Sequence, residues 1–390
     1  MGESLEPRVG SRARAGHPCG VDGEMPVAAC GEDLVSLEAL WRQAVTEAVP
    51  LLSTHGVGRE LMMSSTGADE TTFREHDLAQ VRAVSFPIAY RMLGTVAEAE
   101  DLVQEVSLRV FRAIERGERI AALRGYVATV TTRLAINELA SARRRREQYV
   151  GEWLPAPILN DGDDDPAERA ELADSVSLAL LVVLESLSAQ ERAAWLLRDV
   201  FGYAYREIAT IIETSEDNVR QLASRARRHI EARRPRFETS LEQRRQLTDR
   251  FLAAAQNGDL AGLEALLAND VVLTGDGGGK VPALARSLHG RRCVARMLLR
   301  WRHVLDRLPS FALRPVEVNC GPGVVVLDDQ RRLVSVWALE IAGGEIRAVS
   351  SIVNPDKLAH LGPLADFAAL TSGHRRAASP GVGRQPTADR

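Results

Sequence analysis

Residues 206–234 read REIATIIETSEDNVRQLASRARRHIEARR, two short helical patterns that meet across Glu213, Thr214 and Ser215. With Val219 placed at zero on a wheel of about 100° per residue, Leu222, Ala223, Ala226 and Ile230 fall in one narrow arc. Asp217, Gln221, Ser224 and Arg228 fall on the opposite arc, flanked by Arg220, Arg225 and Arg227. Ser215 stands where an N-cap belongs, and Glu216 and Asp217 suit the positive end of a helix dipole. The preceding helix would bury Ile208, Ala209, Ile211 and Ile212. Two short helices, a tight turn, and a second helix with a small apolar stripe under an Arg/Gln/Ser/Asn exterior make a helix-turn-helix pattern. The alternative reading is an amphipathic helix with a charged solvent face.

The chemistry of that exterior suits DNA. Arginine can chelate guanine and Gln or Asn can chelate adenine in the major groove, while further arginines reach phosphates. Net charge is −4, so the distribution carries the information. Arg143, Arg144, Arg145 and Arg146 are consecutive, and six arginines fall within 225–236, whereas DGDDD fills 161–165. Two separate basic segments point to nucleic acid as a partner.

The chain has 390 residues, enough for two to four small domains. No stretch of about 18 apolar residues exists and the N-terminus lacks a signal-peptide profile, so neither a membrane span nor export is expected. The four cysteines are scattered without a C-x-x-C pair, which fits a reducing cytoplasm. His17, Cys19 and Cys30 have no ligand-like spacing, and no metal or cofactor is expected.

The organisation can be read around the opening stretch. Residues 1–70 mix Gly, Pro, Ser and Arg with one helical patch at 34–52, and are expected to be a mostly disordered extension. Apolar spacing of three and four then runs through 73–148. Pro87 should kink or split the first helix there, and Gly94 should end it. Thr95 and Glu98 form a T-x-x-E capping box that opens the second helix. A third helix spans about 123–148. Residues 149–171, with WLPAPILNDGDDD, read as a linker. A second all-α unit, 172–236, has another capping box at Ser188 and Glu191, a helix end at Gly202, and the opening stretch. Helices followed by a run of antiparallel strands argue an α+β domain over 241–362. Residues 373–390 are expected to be a disordered tail.

With these elements in place, RMLGTVAEAEDLVQEVSLRVFRA (91–113) resembles the polymerase-binding helices of sigma-70 region two. YVATVTTRLAINELASARRRRE (126–147) looks like that region's promoter-melting helix, and 188–231 resembles region four. In this order and spacing the chain resembles an extracytoplasmic-function (ECF) RNA polymerase sigma factor. GDGGGK (275–280), NPDKL (354–358) and WLPAP (153–157) further resemble the group with a C-terminal SnoaL-like domain. Similar members carry an acidic residue between the two linker prolines, where this chain has Ala156. The expected fold is therefore multi-domain: two all-α sigma domains, a region-two bundle and a region-four helix-turn-helix, followed by an α+β SnoaL-like cone.

The resemblance implies roles. Asp101, Gln104 and Glu105, at i, i+3 and i+4 on one helix, would face the β′ clamp helices of core RNA polymerase, and region four its β flap. Arg133, Asn137, Arg143, Arg144, Arg145 and Arg146 would meet promoter DNA on the −10 side, with Thr132 beside them and Tyr126 or Trp153 as stacking candidates. Asn218, Arg220, Gln221, Ser224, Arg225 and Arg228 would meet the −35 side. A regulatory contact between linker and C-terminal domain would use Trp153, Pro155, Asp276, Gly277, Gly278, Gly279, Asn354, Pro355 and Asp356. The chain itself would not be an enzyme. Two rivals stay open: a SnoaL-type enzyme using Asp270, Asp276, His289 or His303 as acid or base, and an ordinary repressor or activator. A small-molecule ligand in the cone is a further open question. GDGGGK is not a Walker A loop, because Val and Pro follow the lysine.

Overall fold

The computed structural model describes residues 75–147, 149–160, 177–233, 240–305 and 311–366. The expected N-terminal extension with its helical patch, most of the acidic linker, the arginine side chains of 143–146, the side chain of His303 and the C-terminal tail lie outside the described residues.

The first helical unit is a three-helix bundle: α1 (Glu75–Leu93), α2 (Val96–Glu115) and α3 (Leu123–Glu147). Pro87 lies inside α1 without splitting it. Gly94 ends α1 with φ +77°. Thr95 then caps α2, its hydroxyl accepting from Glu98 N–H at 3.3 Å. Every third or fourth residue of α2 is buried, from Val96 and Ala99 through Leu102, Val103 and Val106 to Val110 and Ala113.

After the linker, the second unit holds α4 (Leu178–Leu184), α5 (Ala189–Trp195, extended by a π turn to Val200), α6 (Tyr205–Ile211) and α7 (Glu216–Arg233). The Ser188–Glu191 capping box forms in full. The two helical units share one hydrophobic core, in which Ala89, Met92 and Ala135 of the first pack in one cluster with Leu184, Leu197 and Ile208 of the second.

The C-terminal domain opens with α8 (Leu241–Asn257) and α9 (Leu260–Leu266). Ser240 and Gln243 cap α8, and Gly258 at φ +70° ends it. A seven-stranded sheet follows in the order β1-β4-β5-β6-β7-β2-β3. Its strands are β2 (Leu267–Asp276), β3 (Leu288–His289), β4 (Phe311–Val318), β5 (Gly321–Asp328), β6 (Leu333–Ala342) and β7 (Glu345–Ile352). The short β1 (Leu159–Asn160) comes from the linker, and α10 (Arg291–Leu305) lies between β3 and β4. The expected antiparallel run needs correction, because β2 pairs with β7 in parallel. β4 also escaped the sequence reading. Its Pro315 reads as a strand breaker, yet it is tolerated because, among the described residues, β4's second neighbour, β1, pairs with Glu317 and Val318 and not with Pro315.

Alternation splits the sheet residues between two cores. Val324, Val326, Trp337 and Leu339 pack with Phe251, Val294 and Leu298 of the domain's own helices. Val325, Val336 and Ala338 turn to the other face, where they pack with Leu154 of the linker, Leu178 of α4 and Leu358 of α11 (Pro355–Leu358). The second face of the C-terminal sheet is thus covered in part by the chain that joins the helical units. The architecture, two all-α units followed by an α+β domain, is the one expected.

Candidate functional site

On α2, Asp101 and Gln104 are exposed, and Glu105 pairs with Arg109 one turn on at 2.7 Å. Leu108 and Phe111, 48% and 42% exposed, extend the same helix surface with apolar groups. This surface therefore offers charge beside exposed hydrocarbon.

The basic helix α3 is less open than the sequence suggests. Thr132 is fully buried and so cannot meet DNA in this arrangement. Tyr126 packs against the shared core. Asn137 is exposed. Arg133 is turned to the second unit: its Nε donates to Ile211 O and its Nη2 to Thr210 O, both at 2.9 Å. Its Nη1 also pairs with Glu213 at 3.0 Å.

The helix-turn-helix forms as read. Val219, Leu222, Ala223, Ala226 and Ile230 are all buried, while Arg220, Gln221, Ser224, Arg225 and Arg228 are exposed. Glu213 takes φ +55° in the turn, and Ser215 Oγ accepts from Asn218 N–H at 3.2 Å. Asn218 is half-buried, and its side chain donates to Thr214 Oγ1 at 2.9 Å, so it shapes the turn as well as standing at the helix start. Arg220 pairs with Glu216 at 2.5 Å and lies over the Tyr205 ring. Arg227 is tied to Asp199.

The linker meets the C-terminal domain at a buried ion pair. Lys357 Nζ lies 2.6 Å from Asp276 Oδ2, with side chains 5% and 0% exposed. Both partners grip one linker residue: Asp276 Oδ2 accepts from Leu154 N–H at 2.8 Å, and Lys357 Nζ donates to Leu154 O. The carboxylate's other oxygen accepts from the Tyr149 hydroxyl at 2.5 Å and from Gly278 N–H at 3.0 Å. Burial first, and the neighbouring carboxylate second, push the Tyr149 phenol well above its ordinary pKa, so it stays a donor. Lys357 Nζ sits 4.2 Å from the Trp153 ring centre and 4.9 Å from that of Tyr149. Asn354 donates to the Tyr149 hydroxyl at 2.8 Å and accepts from Asp356 N–H at 3.1 Å. Pro355 opens α11, and Asp356 pairs with Lys280 at the surface. Gly277, Gly278 and Gly279 form the turn after β2. Gly278 has φ +63°, and a Cβ there would strike the Asn354 amide. Trp153 rests on Gly94, where a Cβ would come 2.6 Å from its ring. Pro155 is buried.

A second node joins three parts of the chain. Tyr90 of α1 donates to Ala156 O at 2.7 Å and accepts from Asn319 Nδ2 at 2.7 Å. Asn319, fully buried in the β4–β5 turn, also accepts from Ile158 N–H at 3.1 Å. Burial raises the Tyr90 phenol's pKa far above the ordinary value. Ala156 N–H donates to Gly94 O at 2.8 Å, so this linker position is held through its backbone and needs no carboxylate. His360 bonds Pro157 O at 2.8 Å, and burial lowers its pKa.

Among the described residues, the candidate acid–base groups Asp270, Asp276 and His289 do not converge. Asp276 is occupied by Tyr149 and Leu154 of the linker and by Gly278 and Lys357 of its own domain, Asp270 pairs with Arg347 at the surface, and His289 is exposed on β3. A cleft of about 290 Å³ lies between α8 and the β4–β5 turn, lined in part by Arg244, Arg245, Glu317 and Cys320. Tyr90, Tyr149, Leu154, Asn319 and Lys357 were not singled out by the sequence reading. Leu154, inside WLPAP, and Lys357, inside NPDKL, carried a local signal.

Comparison with known proteins identifies the two helical units. Residues 82–145 match the Sigma-70 region 2 family and 177–230 the Sigma-70, region 4 family. The chain belongs to the ECF RNA polymerase sigma factors, proteins that bring core RNA polymerase to promoter DNA. It is 35% identical over 297 residues to ECF RNA polymerase sigma factor SigJ of Mycobacterium tuberculosis, covering 74% of this chain and 94% of that protein. It is 36% identical over 284 residues to the probable ECF RNA polymerase sigma factor SigI of the same organism, covering 71% and 92%. The crystal structure of the M. tuberculosis SigJ protein aligns with TM-score 0.59 and 32% identity, over 75% of this chain and all of that one. Among the described residues no helix is long and apolar enough to cross a membrane.

Proposed function

We propose that this sigma factor is governed by its own C-terminal domain, which holds the linker between the two DNA-reading units. The observation that carries this is the double grip on Leu154: the buried Asp276–Lys357 pair occupies both the N–H and the C=O of one linker residue. A linker tied at both backbone groups fixes where the second helical unit can sit relative to the first. Releasing it changes the set of arrangements available to polymerase and promoter.

Within that scheme, Asp101, Gln104 and Glu105 engage the β′ clamp helices, with Leu108 and Phe111 beside them, and the second unit meets the β flap. Arg133, Asn137 and the arginines 143–146 serve the −10 side. Arg220, Gln221, Ser224, Arg225 and Arg228 serve the −35 side, with Asn218 at the helix start. The protein works in the cytoplasm, where polymerase is. The test is promoter-directed transcription by core polymerase with the full chain, with a form truncated after residue 240, and with full-length Lys357→Met. Output from the truncated form should differ several-fold from the parent, and Lys357→Met should move the same way. Equal output from all three would remove the regulatory role.

A further inference from the structure

The grip on the linker is not the only restraint on the DNA-reading units. They are also fastened directly to each other, and the fastener is one of the nominated DNA residues. All three nitrogens of the Arg133 guanidinium are used, on two carbonyl oxygens at the end of α6 and on the Glu213 carboxylate. The second unit thus presents Arg133 with a cluster of oxygens, one group of them anionic, as a phosphate would. Two further ties join the same two units. Arg192 of α5, 2% exposed, donates to Met92 O of α1 at 2.6 Å. The Arg91 guanidinium lies 5.3 Å from the ring centre of Phe201, and burial depresses its pKa to about 10. The partners of Arg133 named here all belong to the second helical unit.

We infer that Arg133 has two mutually exclusive occupants, the helix-turn-helix turn in the free chain and the promoter backbone in the open one. Glu213 acts as an internal stand-in for a DNA phosphate. This rests on the reading above that α3 serves the −10 side and α7 the −35 side. Elements centred about 25 base pairs apart are separated by roughly 85 Å of duplex at about 3.4 Å per step. A chain that bonds α3 to the end of α6 cannot span that distance, so engaging both elements requires Arg133 to exchange its partner. The clasp thereby restrains binding of the free protein to DNA, separately from the linker grip.

The experiment uses the full-length chain without polymerase. Hydrogen exchange of the segment 205–214 reports opening, and a labelled fork DNA of mixed sequence with a single-stranded arm reports binding at fixed salt. Glu213→Gln removes the anion without adding a DNA-binding charge. It should speed exchange and tighten DNA binding about three- to fivefold, the scale of a partly exposed ion pair. The gain in binding should vanish in an Arg133→Ala background. The swap Arg133→Glu with Glu213→Arg should return exchange towards the parental rate without the gain in binding. If neither exchange nor binding changes in Glu213→Gln, the clasp is wrong while the DNA role of α3 stands. Faster exchange with DNA binding unmoved, and Arg133→Ala without effect on binding, would overturn both the shared occupancy and the assignment of Arg133 to DNA.

Discussion

Lys357→Met is the sharpest perturbation of the linker grip. Methionine keeps the length and the packing against Trp153 and Tyr149 but removes the charge and every donor. Asp276 would then remain fully buried without its cation, and Leu154 O would lose its charged donor. Breaking a buried pair by removing one partner costs about 3–5 kcal/mol, because an uncompensated charge stays behind. The three remaining donors to Asp276, from Tyr149, Leu154 and Gly278, place the expected loss nearer the lower figure. At about 3 kcal/mol, and with linker release as the local opening event, exchange of backbone amides in 149–160 should accelerate by roughly a hundredfold. The urea midpoint of the C-terminal domain should fall in step. Lys280→Met is the control, since its pair with Asp356 is more than half exposed on both sides and is worth about 1 kcal/mol or less. Exchange in 149–160 that stays within about threefold of the parent in Lys357→Met would refute the argument that this pair holds the linker.

Other consequences can be checked separately. Gly278→Ala should destabilise the linker contact by about 1–3 kcal/mol, because a left-handed residue gains a Cβ against Asn354; denaturant titration measures this. Reversing Asp101 and Glu105 should abolish comigration with core polymerase on a sizing column while thermal unfolding shifts by no more than about 2 °C, since neither side chain belongs to the core. Arg220→Ala should relax promoter preference at one base position at a cost of about 1–3 kcal/mol, whereas Arg228→Ala should weaken all sequences alike; a binding-site selection distinguishes the two. His360 has a folded-state pKa below its unfolded value, through burial. The neutral form is therefore favoured by folding, the contribution is fully present above the unfolded value of about 6.5, and it is lost as pH falls below that. Protection of the linker amides, corrected for the intrinsic exchange rate at each pH, should fall from about pH 6.5 downward, and that component should disappear in His360→Gln.

Much of the fold was legible locally. The wheel around Val219 named the residues that are buried and those that face out, because helix periodicity and the turn at Ser215 act within a few residues. The capping pairs Thr95–Glu98 and Ser188–Glu191 formed for the same reason. Pro87 does not split α1, since a proline's cost depends on what surrounds the helix. Pro315 hid a strand, since its tolerance depends on how little of β4 the neighbouring edge strand covers. The motifs GDGGGK, NPDKL and WLPAP marked the linker contact through resemblance, while the identity of the gripping atoms stayed hidden.

The sequence by itself determined the order of units, the faces of the helices and the basic segments through patterns that repeat within a few turns, and the sigma-factor character through resemblance to a known family. Only the tertiary structure decided that Asp276 and Lys357 close on the backbone of Leu154, that Asn319 joins Tyr90 to Ile158, and that Arg133 faces the end of α6. Those partners stand 77 to 229 residues apart. A lone arginine, asparagine or lysine carries no periodic signal of its partner. Its role follows from burial, which makes an unpaired polar group costly and so selects the arrangement in which each is paired.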